Sequence, residues 1–169
     1  MTDYGSLAVH DIRTFLWKEL TSASVLDVQD YYADGFTDPL IPIIPTQQVP
    51  EFNNNLPGKP YIVYDYETLP VQEQWWLTHE MMQFMIVSND YDQINTIMNF
   101  MKDLFRRYDN TAEDIAGRNS ILSKNFIFKY TAVHRIFSPG PFKSEGGLMV
   151  GHIDILVCYT RIIDSNGRF

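Results

Sequence analysis

The stretch NDYDQINTIMNFMKDLFRRYD, residues 89–109, decides the fold of this chain. Its apolar residues recur at spacings of three and four, which is the pattern of an α-helix with one buried face. These residues are Tyr91, Ile94, Ile97, Met98, Met101, Leu104, Phe105 and Tyr108. Asp90 suits the N-cap, and Gln93 completes the spacing of a capping box. We therefore predict a helix over residues 90–109 that covers a sheet built from the segments on either side of it.

Four flanking segments have the composition of strands, which are rich in β-branched and aromatic residues. They are residues 61–67, 79–88, 125–137 and 147–161. Both faces of the second segment are apolar, which indicates a central strand. The last two segments are about twice the usual strand length, so we expect a long hairpin that projects beyond its own core. With a first helix over residues 7–20, the chain is predicted to be a single α+β domain, residues 1–169. Its expected architecture is a small, mostly antiparallel sheet with a long β-hairpin, packed by two main helices.

Proline dominates the segment between the first helix and the first predicted strand. Seven of the nine prolines fall between residues 39 and 70. Because proline fixes φ and cannot donate a hydrogen bond, we predict an extended arm at about residues 36–60 that is neither a helix nor a central strand. Ile41, Ile43 and Ile44 are too apolar for a free linker. The arm therefore packs on the chain's own core or on a neighbouring subunit. Trp17 likewise either flanks the core or anchors a partner.

Charge is unevenly distributed along the chain, whose formal net charge is −8. Residues 1–100 contain three basic and 14 acidic side chains, whereas residues 101–169 contain 10 basic and seven acidic ones. The acidic balance argues against nucleic acid or an anionic membrane as a tightly bound partner. The asymmetry allows complementary ends of identical subunits to meet in an oligomer, although two solvated surfaces would also produce it. The single Cys158 excludes an internal disulfide and suits a reducing cytoplasm. No apolar run approaches the ~20 residues of a membrane span.

The sequence offers no recognised catalytic motif. Gly146, Gly147 and Gly151 precede a strand, which favours a hairpin turn and a bulge over a phosphate-binding loop. His134, His152 and Asp154 would share one face of the hairpin if residues of like parity paired. A metal site completed by His79 or Glu80 is therefore an alternative to a solvated or subunit-facing surface. We predict no catalytic site, no metal and no cofactor.

Several local stretches carry a resemblance to a known class of protein. They are FLWKEL at residues 15–20, DPLIPIIPTQQVPEF at 38–52, YIVYDYE at 61–67, DLFRRYD at 103–109 and the ending Gly167-Arg168-Phe169. In these stretches, and in its order of predicted elements, the chain resembles the tail-terminator and tail-completion (neck) proteins of contractile-tailed bacteriophages. The resemblance extends to the neck proteins of cyanophages and marine phages.

The resemblance implies a non-enzymatic virion protein of the neck or tail, assembled in the host cytoplasm. Such a subunit forms a ring, typically a homo-hexamer, that caps the tail tube, ends its polymerisation and provides the head-joining surface. Its expected partners are the tail tube protein, the head connector or neck proteins and the tail sheath, with DNA passing through the lumen unbound. A head-completion or sheath-stabilising protein, and a small metal-dependent enzyme, are the alternatives. Candidate interface residues are Trp75, Trp76, Ile41, Ile43, Phe142, Lys143, Arg106 and Arg107.

Overall fold

The fold is an open sheet with its two long helices packed on one face, as a computed structural model of the chain shows. The structure describes residues 7–69, 77–106, 121–137 and 147–162. In chain order the elements are α1 (Ala8–Ser22), β1 (Ile43–Pro45), α2 (Val49–Asn55), β2 (Tyr61–Leu69), β3 (Thr78–Ser88), α3 (Tyr91–Phe105), β4 (Phe126–Phe137) and β5 (Met149–Arg161). The strand order is β1-β2-β3-β5-β4, and every pair is antiparallel except β1 with β2. The predicted α+β class, with a mostly antiparallel sheet, is confirmed.

The helix α3 forms for the reasons that its sequence indicates. The Asp90 side chain accepts hydrogen bonds from the backbone N–H groups of Asp92 and Gln93, which caps the first turn. Gln93 does not bond back to the backbone of Asp90. Its Oε1 instead accepts from the Ser88 hydroxyl, whose oxygen accepts the Asp90 N–H. The helix ends at Phe105, earlier than predicted, and its first residue, Tyr91, is exposed instead of joining the buried stripe.

The core lies between the sheet and the pair α1 and α3. The Phe84 ring of β3 stacks on Phe105 of α3 with centroids 6.5 Å apart, and Phe15 of α1 meets the same ring edge-on at 6.0 Å. Gly151 of β5 lies directly under α3. A Cβ atom added to Gly151 would lie 2.3 Å from Met98 Sδ and 2.7 Å from Ile94 Cγ2. The strand therefore needs glycine there for close packing, and Gly151 pairs with Ile86 of β3 in regular register, without the predicted bulge between these two strands.

The proline-rich segment is more ordered than an extended arm. Residues 49–55 form the helix α2. Pro50 is compatible with this helix because it lies in the first turn, where its missing N–H is not needed. The preceding β1 is an edge strand, paired parallel to β2, so the prediction that excluded a central strand is confirmed and the one that excluded a helix is wrong. Ile43 and Ile44 are buried in this chain's own core. Trp17 also flanks that core, with its ring 5.4 Å from Tyr31.

The hairpin of β4 and β5 does not project from the described part of the molecule. β3 pairs with β5 from Met149 to Tyr159, which is nearly the whole of that strand. A third long strand therefore stands beside the hairpin, and the prediction of a projecting hairpin is wrong for the described residues. The predicted hairpin tip lies outside them.

Candidate functional site

The face of the sheet opposite α3, called here the open face, carries a polar cluster on the hairpin strands. The register places Asp154 of β5 between Gln83 of β3 and Arg135 of β4. The Arg135 Nε donates to Asp154 Oδ2 at 2.9 Å, and its Nη2 lies 2.8 Å from the same oxygen. The Asp154 side chain is only 8% exposed, whereas that of Arg135 is 55% exposed. A buried carboxylate thus fixes a guanidinium that still faces solvent.

Aromatic contacts hold the same guanidinium from a second side. The Arg135 Cζ lies 4.9 Å from the centroid of the Phe137 ring, a cation–π distance. Phe137 in turn meets the His152 ring edge-on, with centroids 6.4 Å apart. Arginine and aromatic residues presented in this way are typical of positions that anchor protein partners.

Register explains why the alternative metal set of His134, His152 and Asp154 does not form. β4 has two register shifts, between Phe128 and Tyr130 and between Val133 and Arg135, so His134 falls at an irregularity. Arg135 takes the position opposite Asp154. Within the described ranges, no group of three histidine, cysteine or acidic side chains is placed to hold a metal ion.

The two proposed further ligands have other positions. His79 Nε2 lies 3.0 Å from the hydroxyl of Tyr130. Glu80 belongs to the opposite face of the sheet, because its neighbour in β5 is Val157 whereas Asp154 pairs with Gln83. The Tyr159 hydroxyl donates to Glu80 Oε1 at 2.6 Å, while the buried Oε2 finds no donor among the described residues. Burial raises the pKa of Tyr159, and the hydrogen bond to Glu80 is a second, smaller cause in the same direction.

Cys158 is a buried residue of β5, as predicted. It is 1% exposed, and burial raises the pKa of its thiol, although a hydrogen bond with Tyr130 and the charge of Lys129 act in the opposite direction. A thiol that is both inaccessible and mostly protonated is a poor nucleophile.

The structure describes three of the eight candidate interface residues. Ile43 is fully buried, so its side chain offers no surface to a neighbour while β1 stays in the sheet. Ile41 is half-buried and lines a cleft of about 230 Å³ together with Phe36 and Leu40. Arg106 is exposed and lies at the C-cap of α3. Trp75, Trp76, Arg107, Phe142 and Lys143 lie outside the described residues.

Opposite edges of the sheet carry opposite charge. Described residues 23–69, which form and flank β1 and β2, contain seven carboxylates and one cation, Lys59, which pairs with Asp30. A second cation, Arg13 of α1, reaches the same edge, where its Nε donates to the carbonyl oxygen of Ile43. Described residues 121–137, which form and precede β4, contain Lys124, Lys129 and Arg135 and no carboxylate of their own. Arg135 is paired with Asp154, and the Ser123 hydroxyl donates to Asp11 of α1, so Lys124 and Lys129 supply the excess positive charge. Sequence counting shows an acidic first part and a basic last part, but only the strand order places them at opposite edges.

Comparison with known proteins adds no assignment: no protein-family model matches the chain, and no curated protein matches it. In the part of the chain that the structure describes, no helix is both long enough and apolar enough to cross a membrane.

Proposed function

We propose that this chain is a structural subunit of the neck or tail of a contractile-tailed phage, and that it acts as a tail terminator. Copies of it form a hexameric ring on the end of the tail tube. The ring ends polymerisation of the tube and presents the surface that joins the head connector or neck proteins. The sheath is a further candidate partner, and the work is done by surface complementarity and symmetry, without catalysis.

One observation carries this proposal: the two edges of the sheet are different and complementary in charge. When one surface of a subunit binds a different surface of the next copy, the contact is heterologous, and repetition gives a closed ring or an open filament. A subunit with an acidic edge and a basic edge at opposite ends of one sheet suits this arrangement. The α+β fold with a mostly antiparallel sheet is also the fold that the resemblance implies.

The acidic balance of the whole chain supports the proposed passage of DNA. A lumen lined with carboxylates repels the phosphate backbone, so DNA slides through without being held. Neutralising carboxylates that line the lumen should then slow DNA ejection. Normal ejection kinetics in such a mutant would refute this part of the proposal.

Particle morphology after gene deletion tests the proposed position in the virion. Deletion of a terminator should produce overlong or unstable tails in electron micrographs, and expression of the intact chain from a plasmid should restore normal length. Finished tails of normal length beside unjoined heads would contradict the terminator role and would indicate a head-completion protein instead.

A further inference from the structure

We propose that the β4 edge of this chain binds the β1–β2 edge of a second copy, and that this contact is the repeating interface of its assembly. The inference rests on the proposed ring-forming function and specifies which surfaces meet. The two surfaces are called here the basic edge and the acidic edge.

The basic edge combines cations with exposed apolar side chains. Lys124, Lys129 and Arg135 are exposed on or next to β4. Among them lie three large apolar side chains, with exposed fractions of 79% for Leu122, 49% for Ile127 and 51% for Phe137. Apolar anchors surrounded by charge are the ordinary composition of a protein–protein interface.

The acidic edge has the same composition with the opposite charge. Asp34, Asp65 and Glu67 are exposed there, and the exposed large side chains are Tyr32, Phe36 and Tyr66. β1 pairs only with Ile62–Tyr64 of β2, so none of the described strands covers the outer side of the rest of β2.

The acidic edge also has two clefts. The 230 Å³ cleft beside Phe36 lies next to β1, and a second cleft of about 540 Å³ is lined by Tyr64, Asp65 and Tyr66 together with the start of α1. The basic edge presents exposed apolar side chains, and the acidic edge presents clefts, the smaller of which is lined by Phe36, Leu40 and Ile41 together with Arg13. Shape and charge therefore point to the same pairing.

The two irregularities in β4 determine the kind of contact. A strand with register shifts on both sides of Thr131 does not present an unbroken row of evenly spaced backbone groups. Continuous addition of a foreign strand is therefore disfavoured, and the edge binds through its side chains. Pairing of a basic edge with another basic edge is repulsive, which disfavours a two-fold dimer through this surface.

A charge-swap experiment tests the pairing. One variant, K124E/K129E, makes the basic edge acidic, and the other, D65K/E67K, makes the exposed outer part of β2 basic. All four side chains are exposed and belong to none of the ion pairs described above, so both variants should keep the native circular dichroism spectrum. Arg135 is left unchanged because its removal would strand the buried Asp154. Lys102→Glu, on the exposed side of α3, is the matched control for a reversed cation.

Analytical ultracentrifugation at low salt measures the association constant of each double variant alone. We expect it to be at least about tenfold lower than that of the wild type, because repulsion replaces attraction at every contact. An equimolar mixture should recover it, since the altered β4 edge of one variant complements the altered β1–β2 edge of the other, and their two native edges complement each other. A hexameric ring can close from alternating copies because its number of subunits is even. The Lys102→Glu variant should assemble like the wild type, and added salt should weaken wild-type association.

Variants that assemble normally alone, or a mixture that fails to recover assembly, would overturn the inference. So would a wild-type chain that shows no self-association either alone or on tail tubes. The same series on tail tubes separates the two proposals. Wild-type and mixed copies that pair in solution but ignore tubes would refute the terminator function and keep this interface. If each double variant alone still formed rings on tubes, this interface would be refuted and the terminator function would be kept.

Discussion

Replacement of Gly151 by alanine tests how closely the central helix packs on the sheet. The added Cβ would lie 2.7 Å from Ile94 Cγ2 and 2.3 Å from Met98 Sδ, both well inside van der Waals contact. The end of a methionine side chain can move, but a β-branched isoleucine on a helix has essentially one χ1 rotamer. Overpacking of this kind costs about 1–3 kcal/mol, and the loss of glycine flexibility returns about 0.5–1 kcal/mol. We expect a net loss of about 1–2 kcal/mol.

Urea unfolding of a double-mutant cycle measures this effect. Ile94→Ala alone should cost about 2–4 kcal/mol, because it leaves a cavity in the core. In the Gly151→Ala background it should cost about 1 kcal/mol less, since removal of Cγ2 relieves the clash. The same cycle with Met98→Ala should show a smaller coupling, because the methionine can move aside. A neutral or stabilising Gly151→Ala, or strict additivity with Ile94→Ala, would refute the packing described here.

Three further predictions concern the polar groups of the sheet. Because burial raises the pKa of Tyr159 above its usual 10.0, the native state retains a proton that the unfolded state releases, so its stabilising contribution is complete below pH 10.0 and is lost above it. Tyr159→Phe should flatten the alkaline decline in melting temperature, and an unchanged slope would contradict this. Arg135→Met should cost about 1–2 kcal/mol in urea unfolding, because it leaves Asp154 without its cation, whereas the exposed Lys129→Met should change stability by less than about 0.5 kcal/mol. Equal effects would show that the ion pair does not contribute. Cys158 should react with a thiol reagent only as fast as the protein opens, and rapid labelling of native protein would contradict its burial.

The sequence predicts the long elements because their patterns are local. The periodicity of residues 90–109 locates α3, and the β-branched and aromatic composition of residues 61–67 and 79–88 locates β2 and β3. The α+β class follows from these elements alone. The end of α3 and the exposure of Tyr91 were less predictable, because apolar spacing does not report where a helix begins to fray.

Features that depend on tertiary pairing were not predictable from the same patterns. The helix α2 was missed because seven residues with Pro50 in the first turn give too short a pattern to distinguish from an extended arm. The partner of Asp154 was missed because two irregularities in β4 shift its register, so Arg135 and not His134 lies opposite. A signal was available: a single carboxylate among the apolar residues of β5 requires a cation nearby.

The mass of the purified protein in solution, measured alone and with added tail tubes, shows whether the chain forms the proposed ring. We predict that the chain associates into a hexamer, and most readily on the ends of tubes, where the ring is needed. A ring that forms without tubes and ignores them would shift the assignment to a preformed neck component. A chain that stays monomeric under both conditions would contradict the ring-forming role itself.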